Sequence, residues 1–196
     1  MKDSIIRPYF IASLFSIMSS SNESVVSFKE VDFHYDFRKP ILEEVNFNIR
    51  KGSKITIMWQ NGAGKSTIFK LINGTLKNTL GVINTPDGTT IATGYQVVLA
   101  EDKELTVQEF FRKYFNDDSV FNIDKQIADI LKVVNLKAPL ERKVKDFSGG
   151  QQARLLLAAA LIQDPDILLL DEPTNNLDSE WIWHLTEFLK DYKKTV

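Results

Sequence analysis

The chain of 196 residues contains no cysteine and only two histidines. The lack of cysteine excludes disulfides, thiolate metal sites and cysteine nucleophiles, and it fits a cytoplasmic protein. The chain also has no strong excess of positive or negative charge, since its net charge is −2 and its pI is near 5.8. The overall charge therefore gives no reason to expect nucleic acid binding. Long hydrophobic runs are absent too. The apolar segment at residues 9–18 is too short to span a bilayer and has a poor signal-peptide flank.

The length and composition of the chain, with 43% hydrophobic and 26% charged residues, predict one globular domain. We interpret residues 1–23 as an N-terminal extension that is non-native or disordered, with Met18 as the initiator. Residues 24–196 are predicted to form a single α/β domain with a helical insert at about residues 100–147, because strand patterns alternate with helix patterns.

The hydrophobic periodicity places the elements along this domain. It predicts strands at residues 25–35, 41–49, 54–58 and 167–170 and helices at residues 65–72, 107–114, 123–134 and 180–192. A further helix starts at Ser148, because Ser148 and Gln151 have the spacing of a reciprocal capping box, and it must end before Pro165. The apolar run at residues 167–170 is typical of a central parallel strand.

A glycine-rich loop between the strand at residues 54–58 and the next helix predicts a phosphate site. Its residues are Trp59, Gln60, Asn61, Gly62, Ala63, Gly64, Lys65, Ser66 and Thr67. Small residues let backbone N–H groups face a phosphate, and the helix N-terminus adds partial positive charge. Lys65 is expected to reach the β- and γ-phosphates, and the Ser66 hydroxyl to ligate Mg²⁺.

Trp59 departs from the full pattern, which has glycine at that position. A strained turn costing about 1–3 kcal/mol would weaken ATP binding roughly tenfold to a hundredfold. Alternatively, Trp59 and Trp181 are translation artefacts at glycine positions, because Trp181 also follows a turn where glycine would be comfortable. UGG codons at both positions would contradict the second explanation.

Two further motifs carry candidate chemistry. Ser148, Gly149, Gly150 and Gln151 open a helix and form a second candidate anion site. Asp171 and Glu172 follow a central strand, at the edge where open α/β sheets bind ligands. Asp171 is predicted to hold Mg²⁺ through water, and Glu172 to polarise an attacking water.

The three motifs in this order resemble the nucleotide-binding domain of ATP-binding cassette proteins over roughly residues 24–196. The resemblance implies a P-loop NTPase with a parallel ATP-binding core, an antiparallel β-subdomain and a helical subdomain. It implies ATP and Mg²⁺ as cofactors, and ATPase activity with Lys65 and Glu172 as catalytic residues. Two cassettes would pair head to tail, with ATP between the phosphate loop of one and Ser148–Gln151 of the other.

The same resemblance assigns three further positions. Tyr35 would stack on adenine, with Phe33 or plain core packing as the alternatives. Gln96 would sense Mg²⁺ and the γ-phosphate, although strict spacing places that residue at Val98. The segment Asn176–Asp178 would cross to the partner cassette.

The family's switch histidine follows a strand that should begin at about Thr195, and neither His34 nor His184 can replace it by position. His184 is expected on the surface of the last helix. We therefore expect a C-terminally truncated cassette without the final strand.

The segment Glu172–Asp178 is most similar to the ABC-F group, soluble tandem cassettes that act on ribosomes, although Asn176 stands where that group usually has histidine. The implied partners are a second cassette, in the same full-length chain or in a homodimer, and the ribosome. One alternative is the ATPase subunit of a membrane transporter, with a transmembrane subunit as partner. The other is a non-hydrolysing ATP-binding switch, disabled by Trp59 and the missing histidine.

Overall fold

The computed structural model describes residues 23–36, 39–57, 64–115, 122–175 and 177–196. The chain divides into two compact units, which are described separately. Unit 1 extends to Thr89 and includes Thr195, and unit 2 comprises Thr90–Lys194 and Val196.

The described residues confirm the predicted alternation of strands and helices. The strands are β1 (Ser24–Asp36), β2 (Lys39–Arg50), β3 (Leu80–Asn84), β4 (Ile91–Gly94) and β5 (Ile167–Leu170). The α-helices are α1 (Lys65–Ile72), α2 (Val107–Arg112), α3 (Ile123–Val133), α4 (Gly149–Leu161) and α5 (Ser179–Asp191). Short 3-10 turns lie at Ala100–Asp102 and Val144–Asp146.

Unit 1 contains an antiparallel sheet with strand order β2-β1-β3. The segment Val25–Phe28 of β1 is buried on both faces of the strand, and further along β1 the buried side chains alternate, at Val31 and Phe33. Phe28 and Phe47 face each other across these strands, and their rings stack with centroids 4.3 Å apart. Thr195 is buried in this unit, where its hydroxyl accepts a hydrogen bond of 2.9 Å from the Gly52 N–H.

The strand predicted at residues 54–58 is absent from the described part of this segment. Residues 54–57 form no strand, and three of the four are half-buried. The apolar pattern predicted a buried strand, but none of these four residues is fully buried and Thr56 is exposed. A strand also needs a neighbouring ladder of backbone groups. No described strand pairs with this segment.

Unit 2 is built on the parallel pair β4 and β5, covered by helices. Ile91 pairs with Ile167 and Gly94 with Leu170. Helix α4 is buried along Leu155–Leu161, because it packs against both strands and against α3. The core also takes in Phe110 and Phe111 from α2. No helix in the described ranges is both long and apolar enough to cross a membrane.

Helix α5 corrects two expectations. Trp181 lies in its first turn, only 3% exposed, and belongs to the core of unit 2, so this is not a loop position suited to glycine. His184 was expected on the surface but is half-buried. Its ring stacks on Trp181 at 4.8 Å, and its Nε2 lies 2.9 Å from the Val133 carbonyl.

Candidate functional site

The phosphate-loop part of the site lies in unit 1, where Gly64 precedes α1. Gly64 has a φ of 97°, and a Cβ atom there would lie 2.7 Å from Ile41 Cγ2. A positive φ and a close approach both require a residue without a side chain. The loop can therefore enter α1 in this way only with glycine at position 64.

The N-terminus of α1 is suited to an anion. It has no side-chain cap hydrogen bond and no acidic residue in its first turn. Uncapped N–H groups and the helix dipole favour negative charge there. Lys65 is half-buried, Ser66 is exposed and Thr67 is buried. Five other predicted loop residues lie outside the described residues, so their roles stay predictions: Trp59, Gln60, Asn61, Gly62 and Ala63.

Tyr35 lies close to α1 and exposes its ring. The ring is 62% exposed, and the phenol oxygen lies 3.3 Å from Thr67 Oγ1. Phe33, the alternative, is only 6% exposed and packs edge-on against Tyr35. An exposed aromatic ring can stack on a base, and a buried ring cannot without moving.

The acidic part of the site lies in unit 2, at the carboxyl ends of β4 and β5. Gly94 pairs with Leu170, and Gln96 and Glu172 each follow two residues later. The parallel register therefore brings these two side chains together, and Gln96 Nε2 donates to Glu172 Oε2 over 3.3 Å. Val98, the alternative to Gln96, is 3% exposed and lies in the core.

Asp171 directly follows β5. Its backbone N–H donates to the Gly94 carbonyl over 3.2 Å, which extends the parallel ladder by one residue. Its side chain is half-buried at the sheet edge where ligands bind in open α/β sheets.

Glu172 occupies an unusual backbone conformation at the start of a turn. Its φ is 49°, in the left-handed region that residues with side chains seldom adopt. Pro173 follows, and the Asn175 N–H closes the turn on the Glu172 carbonyl at 3.1 Å. The Asn175 side chain also donates from Nδ2 to Glu172 Oε2 over 2.6 Å. The sequence analysis missed Asn175, and an asparagine three residues after the acid, beyond a proline, was the available signal.

The signature motif opens α4 with both bonds of the predicted capping box. Ser148 Oγ accepts from the Gln151 N–H at 3.3 Å, and Gln151 Oε1 accepts from the Ser148 N–H at 3.1 Å. Ser148 and Gly149 are exposed, Gly150 is half-buried, and the first turn carries no acidic residue. A Cβ atom at Gly149 would meet nothing within 4 Å. This helix start is therefore open to an anion.

The loop after Glu172 ends at α5. Asn176 lies outside the described residues. Asp178 caps α5, accepting from the Trp181 N–H at 2.7 Å, and it also lies 3.5 Å from Arg154 of α4. The segment predicted to reach the partner cassette is thus connected to the signature helix.

The residues predicted for Mg²⁺ supply suitable atoms. They offer a hydroxyl from Ser66, a carboxylate from Asp171 and an amide oxygen from Gln96. Mg²⁺ prefers such oxygen ligands and completes its shell with water and phosphate. Within the described residues, no group of three or more His, Cys, Asp or Glu could hold a metal alone.

A family model described as ABC transporter matches residues 42–175, a range that includes all three motifs. The chain belongs to the ABC transporter family. The chain therefore has the P-loop NTPase fold of an ABC ATPase domain, as the sequence predicted.

The cassette is similar to curated proteins with different descriptions. It is 35% identical over 184 residues to an uncharacterized ABC transporter ATP-binding protein of Methanocaldococcus jannaschii, covering 87% of this chain and 72% of that protein. It is 37% identical over 161 residues to ABC transporter F family member 4 of Dictyostelium discoideum, covering 82% of this chain but 14% of that protein. It spans 41% of a putative ABC transporter ATP-binding protein of Clostridium tetani, at 30% identity over 86% of this chain.

Solved structures show the same fold. The cassette superposes with a TM-score of 0.73 on cbiO1 of Clostridium perfringens, part of an ABC transporter complex, at 26% identity over 88% of this chain and 76% of that one. A dimeric ATP-binding cassette in a post-hydrolysis state, bound to ADP and Pi, gives a TM-score of 0.71 at 25% identity over 87% of this chain and 86% of that one.

Proposed function

We propose that this cassette binds MgATP and, when paired with a second cassette, hydrolyses it to drive a conformational switch. The observation that carries the proposal is the contact between Gln96 and Glu172 at the ends of two parallel strands. It joins a candidate metal ligand to a candidate base at the sheet edge where α/β proteins bind ligands.

Each candidate residue has one role in this proposal. Lys65 and the N–H groups of α1 bind the phosphates, while Ser66, Asp171 and Gln96 offer oxygen ligands to Mg²⁺, which neutralises phosphate charge. Glu172 accepts a proton from the attacking water while the water oxygen bonds to the γ-phosphorus and ADP leaves. Ser148–Gln151 of the second cassette binds the phosphates from the opposite side.

The test compares variants that separate binding from turnover. Lys65→Ala is expected to weaken ATP binding in calorimetry, whereas Lys70→Ala, at an exposed position of the same helix, is not. Glu172→Gln is expected to keep ATP affinity, lose phosphate release and accumulate an ATP-bound pair of cassettes in sedimentation. Equal ATP affinity in wild type and Lys65→Ala would contradict the proposal.

Trp59→Gly completes this series. We expect it to raise ATP affinity roughly tenfold to a hundredfold if the indole strains the phosphate loop. ATP binding without turnover, even in Trp59→Gly at concentrations that allow pairing, would instead identify a non-hydrolysing switch.

We further propose a cytoplasmic ABC-F protein that acts on the ribosome. The support is the segment Glu172–Asp178 and the similarity to ABC transporter F family members of Dictyostelium discoideum and Arabidopsis thaliana, at 37% and 34% identity. The Glu172→Gln cassette with ATP is expected to sediment with ribosomes. A second phosphate loop in the downstream reading frame would agree with this role.

A transporter role is the second candidate, and a specific surface favours it. Tyr95, Val97 and Leu99 follow β4 and expose 58%, 65% and 59% of their surface. Such an apolar strip suits a transmembrane subunit. Relatives described as spermidine/putrescine and zinc import ATP-binding proteins are 34% and 31% identical. A neighbouring gene with apolar 20-residue segments, and loss of its product's binding in Val97→Glu, would support this role over the ribosomal one.

A further inference from the structure

Glu172 is held by two side-chain amides that donate to the same oxygen. Asn175 Nδ2 lies 2.6 Å from Glu172 Oε2, and Gln96 Nε2 lies 3.3 Å from it. The two donors come from different elements, because Gln96 follows β4 and Asn175 closes the turn after β5. All three residues line one small pocket of unit 2.

The turn itself directs the Asn175 amide to the carboxylate. Pro173 fixes its own φ at the first central position, and the Asn175 N–H binds the Glu172 carbonyl at 3.1 Å. The backbone of Asn175 is therefore attached to the residue whose side chain its amide binds. A left-handed φ of 49° at Glu172 persists only where surrounding contacts hold it, and Asn175 provides two of them.

Of the two side-chain amides that bind Glu172, only that of Gln96 has a second proposed role. Gln96 is a proposed Mg²⁺ ligand, so its side chain has a second task when nucleotide binds. Asn175 has no such task, and its bond to Glu172 is the shorter one. Asn175 is therefore the donor that can keep Glu172 in place while Gln96 turns to the metal.

We infer that Asn175 is the positioning residue of Glu172, holding its carboxylate in the orientation that receives the proton of the attacking water. The inference rests on the proposed function, in which Glu172 is the base. In this proposal Asn175 itself transfers no proton and acts only through Glu172.

The contact is tested without nucleotide by NMR of the whole chain. The Asn175 side-chain amide resonance, assigned through Asn175→Asp, is expected to shift in Glu172→Gln, because a charged acceptor is replaced by a neutral one. Asn46 provides the matched control, since its Nδ2 donates to the Glu44 backbone carbonyl at 2.8 Å in unit 1 and should not respond. An Asn175 amide that does not respond to Glu172→Gln overturns the inference.

The consequence is tested by kinetics on the same variants. Asn175→Ala is expected to lower kcat about tenfold, as loss of an outer partner of a catalytic group does, while the Kd for ATP stays unchanged. Asn175→Asp is expected to lower kcat further, because it places a second carboxylate next to that of Glu172. Asn175→Ser, which retains a short donor, should recover part of the rate.

Two outcomes separate this inference from the proposed function. If the wild-type cassette hydrolyses ATP and Asn175→Ala keeps its full kcat, the inference is overturned while the proposed function stands. A wild-type cassette that neither binds nor hydrolyses ATP would refute the proposed function, and the NMR result would still decide whether Asn175 holds Glu172.

Discussion

Replacing Trp181 by glycine should strongly destabilise unit 2. Trp181 is 3% exposed in the core, with the Arg154 guanidinium 4.5 Å above its ring and the His184 ring stacked at 4.8 Å. Removing a buried tryptophan side chain costs about 3–5 kcal/mol, and glycine in a helix costs about 1 kcal/mol more. The expected total of about 4–6 kcal/mol is comparable with the whole stability of many domains.

The measurement is urea unfolding followed by circular dichroism, with thermal melting in parallel. For a chain of this length, the melting temperature should fall by roughly 10–20 °C. Trp183→Gly is the matched control, because Trp183 lies two residues further along α5 and is 65% exposed. If the glycine variant does not fold, the free energy of unfolding can be measured for Trp181→Phe, which is a smaller change.

The reasoning would be refuted if Trp181→Gly lost less than about 1 kcal/mol, or no more than Trp183→Gly. Unchanged or increased stability would also revive the hypothesis that glycine is the natural residue at position 181.

Three further predictions follow from the packing. Gly64→Ala should destabilise unit 1 by about 1–3 kcal/mol in urea unfolding, because Gly64 has a φ of 97° and an added Cβ would approach Ile41. Gly149→Ala should be nearly neutral, because an added Cβ there meets open space, and similar losses in the two variants would contradict this reasoning. Lys113→Ala should cost about 1–3 kcal/mol of unfolding free energy, because the buried carboxylate of Asp102 loses its partner, a lysine that is 41% exposed, and Lys132→Ala, which removes an exposed pair, should cost much less. Burial, helped by the charges of Asp164 and Asp166, raises the pKa of Tyr192 from 10.0 to about 12, so its stabilising contribution is complete below pH 10 and is lost as the pH rises towards 12. Tyr192→Phe should therefore reduce the alkaline loss of stability in urea titrations.

Local sequence signals predicted much of this cassette. Ser148 and Gln151 form the reciprocal cap because their spacing alone brings each side chain to the other's N–H. The position of Asp171 and Glu172 at the sheet edge was predicted because the carboxyl ends of parallel strands share one edge of a sheet.

Features that depend on distant partners were not predictable. Residues 54–57 have the composition of a buried strand, but pairing depends on where another strand lies. The predicted helix already contained Trp181, but the burial of Trp181 depends on which face of α5 meets the core, and that depends on the neighbouring elements. The asparagine three residues after Glu172 was visible in the sequence, but its bond to Glu172 also depends on a rare φ at Glu172 that no residue preference indicates.

The paired ends of β4 and β5 constrain how this part of the chain can vary. One residue, Tyr95, separates Gly94 from Gln96, and one residue, Asp171, separates Leu170 from Glu172. Position 95 is exposed, so the contact between Gln96 and Glu172 does not depend on which side chain stands there. A single insertion or deletion in either connection would instead displace one member of the pair from the other. Selection on these two connections should therefore act on their length more strictly than on their composition.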